Sequence, residues 1–356
     1  MDLKQEFAVD GKQLKRFEKI YEGYKLLFND PDNCVPMLNV SVRGAGNPRK
    51  ITNYVMMDHP EEMLRVALEN FQQHILIGDD CVPAFRVNFG TAQPASAFGA
   101  KLVMPTDAAP IAGSHPLKST EEIYELKMPS VYDGIYAKLY DFIDYFVRHL
   151  PEGMYVQNPD IQSPMNTAHL VRGNEILTDF YDDPDAVHHL FHMVTQFTID
   201  VTKHFLTLFS PPFDGWFFDW GGMWKGRARL SDCSVHMISP DMYMEFVYEC
   251  DRRFLREIGG GRIHYCGEGI KHFENILSIP ESSGLDFDWQ VTDVFELEPI
   301  CPKEKVLCQS FELGTKFGDM VMNGELKKRN VMLSTAVDTI EEAKEVYQMF
   351  KEVYTK

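Results

Sequence analysis

Long apolar runs and basic residues are scarce in this sequence. No stretch of about 18 uncharged apolar residues occurs, so we expect no membrane-spanning helix. The start of the chain, Met1 to Glu6, is charged and lacks the apolar core of a signal peptide. Lys and Arg number 35 against 53 Asp and Glu, which gives a formal net charge of −18. Such an acidic chain repels nucleic-acid phosphates and anionic lipid headgroups, so we expect neither as a partner.

Paired cysteines and glycine-rich phosphate loops are also missing. The seven cysteines are scattered and odd in number, with no Cys-x-x-Cys pair, which speaks against a disulfide framework and favours a reducing, cytoplasmic location. Neither G-x-G-x-x-G nor G-x-x-x-x-G-K-[ST] occurs, so the usual signature of an open, doubly wound nucleotide-binding sheet is absent. The cysteines are Cys34, Cys81, Cys233, Cys250, Cys266, Cys301 and Cys308.

The sequence does contain an alternation of β-rich runs with helical patterns, which is typical of βα units and a parallel sheet. Eight strand candidates match the number that closes a (β/α)8 TIM barrel, and an open doubly wound sheet is the rival fold. In such a barrel the active site lies at the carboxyl ends of the strands. The strand candidates are Val35–Val42, Ala84–Phe89, Met154–Gln157, Trp216–Trp220, Arg262–Cys266, Leu285–Trp289, Val306–Gln309 and Val331–Ser334.

No linker or repeat divides the chain, so the sequence predicts one barrel over residues 31–356. An additional N-terminal helical segment over residues 1–30 precedes it, with a helix from about Phe17 to Phe28. The segment Ser239-Pro240-Asp241 predicts the start of a helix that ends at Gly259, because a capping hydroxyl precedes a proline. Residues 90–120 lack clear periodicity and are either a lid or a packed excursion.

The sharpest chemical feature is His264-Tyr265-Cys266-Gly267, at the end of the fifth strand candidate. Side chains two apart on a strand point the same way, so His264 and Cys266 would face together while Tyr265 points into the helical layer. An imidazole and a thiolate side by side form half of a zinc site, since zinc prefers N and S ligands. The alternative is a core histidine beside a small buried cysteine.

Several polar residues at other strand ends are further candidates for binding or catalysis. Asp219 and Trp220 end the fourth strand candidate, Asp232 follows in a loop, and Asp286 and Asp288 share one face of the sixth strand candidate. Each acid could orient a ligand or transfer a proton, or it could cap a neighbouring element. These acids favour a cationic or metal-bearing substrate over a polycarboxylate. Arg172 is a candidate for holding a substrate carboxylate, or a salt-bridged arginine, and Cys308 could complete a metal site.

Read together, these segments resemble the uroporphyrinogen decarboxylase-like superfamily, in particular its branch of cobamide-dependent (methylcobamide:coenzyme M type) methyltransferases. The resemblance spans about residues 30–356, and only the His-x-Cys-Gly segment is highly specific. The segments are Phe98-Gly99-Ala100, Leu170-Val171-Arg172-Gly173, Asp183-Pro184-Asp185, Asp232, Ser239-Pro240-Asp241, Phe246 and His264-Tyr265-Cys266-Gly267.

The resemblance implies a (β/α)8 barrel and a methyl transfer to a thiol. In that branch, zinc held by the His, the Cys and a later Cys binds the acceptor thiol, which attacks a methyl group on a corrinoid cobalt. His264 and Cys266 match the first two ligands. The family's third cysteine lies at the end of the eighth strand, where this chain reads Leu333-Ser334-Thr335-Ala336-Val337-Asp338 without cysteine. Cys308, Glu268 and Asp338 are the candidate substitutes.

The decarboxylase branch of the superfamily is a poorer match. Its Arg-x-Ala-Gly-Arg motif meets Arg43-Gly44-Ala45-Gly46-Asn47 here, without the second arginine, and no Phe-Ser-Asp follows. Uroporphyrinogen decarboxylation is therefore not expected.

The sequence predicts a methyltransferase-like enzyme that moves a methyl group between a corrinoid, or a related one-carbon carrier, and a small thiol or methylated substrate. Zinc is the predicted metal, and the corrinoid is a substrate or arrives on a partner protein. Two alternatives stay open: a barrel that has lost its metal and binds a ligand or a corrinoid protein without catalysis, and a metal-free decarboxylase. A homodimer is a candidate assembly, because barrels of this superfamily are often dimers.

Overall fold

The computed structural model describes residues 2–44, 50–287, 290 and 292–355. Asp288 and the end of the sixth strand candidate at Trp289 lie outside the described residues, as do Ala45, Gly46 and Asn47 of the arginine motif. The strands are β1 (Met37–Val42), β2 (Ala84–Arg86), β3 (Leu102–Val103), β4 (Ile111–Ala112), β5 (Tyr155–Gln157), β6 (Trp216–Asp219), β7 (Gly222–Lys225), β8 (Ala228–Ser231), β9 (Gly261–His264), β10 (Ser282–Asp286), β11 (Val306–Ser310) and β12 (Val331–Val337).

Helices connect most of these strands. In chain order they are α1 (Leu3–Glu6), α2 (Gly11–Asn29), α3 (Asn53–Met56), α4 (Pro60–Ile77), α5 (Gln93–Ala97), α6 (Thr120–Glu125), α7 (Tyr136–His149), α8 (Pro164–Arg172), α9 (Ile176–Asp182), α10 (Pro184–Leu208), α11 (Pro240–Met242), α12 (Tyr248–Ile258), α13 (Ile270–Leu277), α14 (Val294–Leu297), α15 (Lys316–Met322) and α16 (Ile340–Tyr354). No helix among the described residues is long and apolar enough to cross a membrane.

Eight parallel strands form the centre of the molecule. Six of them make one sheet in the order β1-β12-β11-β10-β9-β8, and β2 pairs with β5. A parallel bridge joins Gln162, in the segment that follows β5, to Ser231 of β8. The predicted α/β class with a parallel sheet and a preceding N-terminal helix is confirmed. Among the described residues, however, the backbone ladders do not close into a ring.

Side chains occupy the edge of β1 at which the ladder is interrupted. The backbone N–H groups of Leu38, Val40 and Val42 donate to the carboxylates of Asp80 and Asp79 and to the amide oxygen of Gln73, at 2.9, 2.7 and 2.6 Å. All three acceptors precede β2 in the chain, and the backbone N–H of Asp80 also donates to the Leu38 carbonyl at 3.2 Å. Every second backbone N–H of β1 thereby donates to a side chain and not to a neighbouring strand, so these buried groups stay hydrogen-bonded.

The predicted fourth strand, Trp216–Trp220, is wrong as a member of the parallel sheet. Residues Trp216–Asp219 form β6, which pairs antiparallel with β7 in a hairpin, and the parallel strand at this place is β8. The run Trp-Phe-Phe suggested a buried strand because aromatic residues favour strands. The four residues of β8, Ala-Arg-Leu-Ser, carry only one strongly apolar side chain and include the buried Arg229, so the sequence pattern concealed the strand.

The helical predictions agree with the structure at several points. Helix α2 contains the predicted segment from Phe17 to Phe28. The Ser239 hydroxyl accepts from the backbone of Met242 and caps α11, which leads through a π-type turn into α12, and Gly259 ends α12 with φ +96°. Residues 90–120 form α5 and the β3–β4 hairpin, and buried Leu117 hydrogen-bonds to Val171 at 3.0 Å. Part of this segment is therefore packed against α8.

Candidate metal and substrate site

A cavity of about 590 Å³ is lined by side chains from all eight parallel strands. Residues two apart on one strand share its inner face, as Asn39 and Ser41 do on β1 and Cys308 and Ser310 do on β11. Helix α4 and the tip of the β6–β7 hairpin also contribute to the wall. The volume is that of an ordinary small-molecule pocket.

Three metal-ligand side chains meet beside this cavity: Cys233, His264 and Cys266. One donor atom from each lies within 4.8 Å of the other two, and this is the only such group of three or more among the described residues. The Sγ atoms of Cys233 and Cys266 lie 2.7 Å apart. The two cysteines meet because of the strand register, in which Ser231 of β8 pairs with His264 of β9. Cys233, at the start of a 3₁₀ helix, and Cys266 each follow one of these paired residues by two positions, and their sulfur atoms meet there.

The ionisation of the two thiols depends on whether a cation lies between them. The hydrogen bond with Cys266, together with burial, raises the pKa of Cys233 far above its usual range. Two neighbouring thiolates repel each other, so both are ionised only when a positive charge lies between them. One nitrogen and two sulfur donors are ligands that zinc prefers. The residues present therefore fit a zinc ion.

Asp286 orients the imidazole of His264. The Nδ1 atom of His264 lies 2.6 Å from Asp286 Oδ2, which leaves Nε2 for a metal. Burial acts to lower the pKa of His264, but Asp286 outweighs it and the pKa is raised. Burial acts to raise the pKa of Asp286, yet Arg262 and His264 hold it well below its usual range. Asp286 is therefore a carboxylate that fixes the ring and its tautomer.

An alternating network of arginines and aspartates extends from this pair. Arg262 is fully buried and forms ion pairs with both Asp286 and Asp219, and Asp219 also pairs with Arg86. Arg229 lies 3.9 Å from Asp219 and 3.3 Å from Asp160. Burial would raise the pKa of Asp219, but these arginines lower it. Asp219 is therefore an ionised structural centre of the network.

Trp220 lies at the tip of the β6–β7 hairpin and lines the cavity. Its φ is +46°, and Gly221 follows with φ +73°, so both turn residues are left-handed, as a two-residue type I′ hairpin requires. Gln157 accepts the backbone N–H of Trp220 at 3.1 Å, and the Arg86 guanidinium lies 4.7 Å from the indole ring centroid. The side chain nonetheless stays 62% exposed.

Known proteins resemble this chain in sequence family and in fold. The family model described as uroporphyrinogen decarboxylase (URO-D) matches residues 56–208. A solved structure of a methyltransferase from Methanosarcina mazei superposes with a TM-score of 0.66 at 15% identity, covering 95% of this chain and 99% of that chain. The chain resembles the uroporphyrinogen decarboxylase-like superfamily. No curated protein matches it.

The predicted resemblance to uroporphyrinogen decarboxylase-like proteins is thus confirmed. At 15% identity, the structural likeness shows a shared fold. The metal-ligand candidates lie beyond the segment that the family model matches, so their assignment rests on geometry.

The structure places none of the three candidate substitutes for the superfamily's third cysteine among the clustered metal-ligand donors, and Glu268 is exposed. Cys308 lines the cavity, but the three-donor group contains Cys233 in its place. Asp338 is 74% exposed at its side chain and pairs with Arg43 at 2.8 Å. Cys233 is therefore the candidate for the third ligand, whereas the sequence pattern indicated it only as one of seven scattered cysteines.

Two other candidates lie away from the cavity lining. Asp232 is fully buried beside Asp251, which accepts a hydrogen bond from Tyr243 at 3.0 Å, and burial raises the pKa of both carboxyl groups. The Asp232 side chain points into the helical layer. Tyr265 also points into that layer, as predicted. Arg172 makes two hydrogen bonds to Asp179, at 2.7 and 3.1 Å. Neither residue has a side chain in position to bind a ligand in the cavity.

One signal in the sequence could have revealed Cys233. Cys233 follows Ser231 by two residues, and Cys266 follows His264 by two. Once β8 is recognised as the strand beside β9, the alternation of side chains places both cysteines on one face. The buried arginines Arg229 and Arg262 carried no such signal, because their partners are distant in sequence.

Proposed function

We propose that this chain is a methyltransferase that moves a methyl group between a corrinoid, or a related one-carbon carrier, and a small thiol or methylated substrate. The observation that carries the proposal is the meeting of Cys233, His264 and Cys266 beside a cavity. The likeness to uroporphyrinogen decarboxylase-like proteins and the name of the similar structure support the reaction class. We further propose that the eight parallel strands form a (β/α)8 barrel in which the strand pairing is interrupted between β1 and β2.

Zinc is the metal that we assign to the three donors. Three protein ligands leave one position of a tetrahedral zinc open, as in catalytic rather than structural sites. Bound there, zinc would supply Lewis acidity that favours the deprotonated form of a thiol at neutral pH. Cys233, His264 and Cys266 would hold the ion, and Asp286 would keep the His264 ring in place. Arg262 in turn fixes Asp286.

Bonds and electrons balance in the proposed methyl transfer. The methyl group leaves its donor without the electron pair of the broken bond, and the acceptor supplies the pair for the new bond. When the acceptor is a thiol, its proton passes to solvent. The protein's contribution is to hold the acceptor in the cavity and to leave the corrinoid partner outside it. Positioning of this kind lowers the barrier by removing translational freedom before the reaction.

The direct test is methyl transfer between a methylated corrinoid and a panel of small thiols, followed by corrinoid absorbance. The zinc-loaded protein is expected to demethylate the corrinoid, and Cys233→Ser is expected to abolish turnover because one ligand is lost. Cys308→Ser is the matched control, since Cys308 lines the same cavity outside the donor group, and it should keep activity. A zinc-loaded protein that turns over no donor or acceptor would contradict the proposal and favour the non-catalytic binding barrel.

A further inference from the structure

Every arginine, aspartate and histidine that lines the cavity has an oppositely charged partner among the described residues. Arg86 pairs with Asp219, and Arg229 lies 3.3 Å from Asp160. The acid Asp286 pairs with Arg262. The two histidines contact acids as well, His264 with Asp286 at 2.6 Å and His74 with Asp79 at 2.8 Å.

Among the described residues, the arginines and aspartates in and directly behind this wall balance in charge. Three arginines, Arg86, Arg229 and Arg262, face three aspartates, Asp160, Asp219 and Asp286. A zinc ion held by Cys233, His264 and Cys266 would add no net charge, because two thiolates would balance it and a metal-bound imidazole is neutral. A charged ligand that enters such a cavity loses its hydration and meets no unpaired opposite charge, a cost that ordinary hydrogen bonds do not offset.

One flat apolar surface is open to a ligand. The Trp220 indole is 62% exposed although it lines the cavity, whereas the other tryptophan in the wall, Trp224, is buried. The Arg86 guanidinium lies against the Trp220 ring. Left-handed backbone at a tryptophan is costly, and strain of this kind concentrates at functional sites. Aromatic rings stack on planar partners.

We propose that this site takes a substrate that is uncharged outside its reacting atom and carries a flat apolar part that stacks on Trp220. The proposal deepens the function proposed above and rests on it only for the position of the metal. It distinguishes this cavity from one built for an anionic acceptor or a polycarboxylate, since either would need an unpaired cation in the wall.

The test compares three planar probes of nearly the same shape: benzamide, which is neutral, benzoate, which is anionic, and benzamidine, which is cationic. Binding is measured by calorimetry on the zinc-loaded protein and on Cys233→Ser, so that carboxylate binding to zinc is separated from binding to the wall. We expect benzamide to bind at least about tenfold more tightly than either charged probe in both proteins. Because Cys233→Ser needs no metal, this result stands even if the zinc assignment fails.

Three variants test the residues. Trp220→Asn removes the ring but suits the left-handed turn, and it should weaken benzamide binding about tenfold. Trp216→Phe is the control, because Trp216 lies on the same hairpin, packs against Phe28 and does not line the cavity. Arg86→Gln removes one positive charge and leaves an excess of one negative charge in the wall, so it should shift the preference toward benzamidine.

Equal or tighter binding of benzoate or benzamidine by the unsubstituted protein would overturn the proposal. So would failure of all three probes to bind, unchanged benzamide binding in Trp220→Asn, or an unchanged order of affinities in Arg86→Gln.

Discussion

At the scale of single residues, the buried ion network decides what the candidate acids do. Asp219 and Asp286 were predicted to bind substrate, and both do line the cavity, but both are paired with arginines. The expectation of a cationic substrate rested on counting acids at strand ends. The structure supplies the counter-ions, and the described acids of the wall attract a cation no more than an anion.

Asp219→Asn is expected to destabilise the fold strongly. The substitution leaves Arg86 and Arg262 buried near each other without their shared carboxylate. Removing one partner of a buried ion pair costs about 3–5 kcal/mol, because the remaining charge is uncompensated. Urea unfolding monitored by circular dichroism measures the loss.

The matched control for this substitution is Asp58→Asn, which removes an exposed partner of Lys138. Exposed ion pairs contribute little, so its unfolding midpoint should stay near that of the unsubstituted protein. Equal midpoints for both variants would show that Asp219 is not a structural centre.

At the scale of elements, the β6–β7 hairpin and the neighbouring β8 explain most of what sequence reasoning misjudged. The pattern of His264 and Cys266 on one face was readable, because side-chain alternation is local to a strand. Cys233 was not, because its position depends on the pairing of β8 with β9. Arg229 made β8 look unlike a buried strand, and the acids that justify its burial, Asp160 and Asp219, lie on other segments.

The hairpin offers a test of strain at its tip. Trp220→Asn creates an Asn-Gly pair, the preferred sequence for a two-residue turn with both residues left-handed. We expect the free energy of unfolding of the variant to equal that of the unsubstituted protein or to exceed it by up to about 1 kcal/mol, because the left-handed strain is relieved. Differential scanning calorimetry gives the comparison.

Trp220→Val is the contrasting variant for the hairpin. A β-branched residue tolerates positive φ poorly, so it should lower the melting temperature. A Trp220→Asn protein less stable than Trp220→Val would contradict the strained turn.

At the scale of the whole molecule, the fold class could be predicted and the closure of the strands could not. Strand and helix periodicity indicated the parallel sheet, which the structure confirms. The edge of β1 instead hydrogen-bonds to Gln73, Asp79 and Asp80, an arrangement that depends on tertiary contacts and leaves no pattern in one sequence. The division into an N-terminal extension and one barrel, the homodimer and the corrinoid partner stay predictions.

In the function that we propose, Cys233 completes a zinc site with His264 and Cys266. Zinc-edge X-ray absorption of the zinc-loaded protein tests it most directly, together with the zinc content of the purified chain. We expect about one zinc per chain, with two sulfur neighbours at about 2.3 Å and one imidazole nitrogen at about 2.0–2.1 Å. Cys233→Ser should lose the metal or keep a single sulfur neighbour, whereas Cys308→Ser should keep both. Absence of zinc, or two sulfur neighbours in Cys233→Ser, would contradict the account.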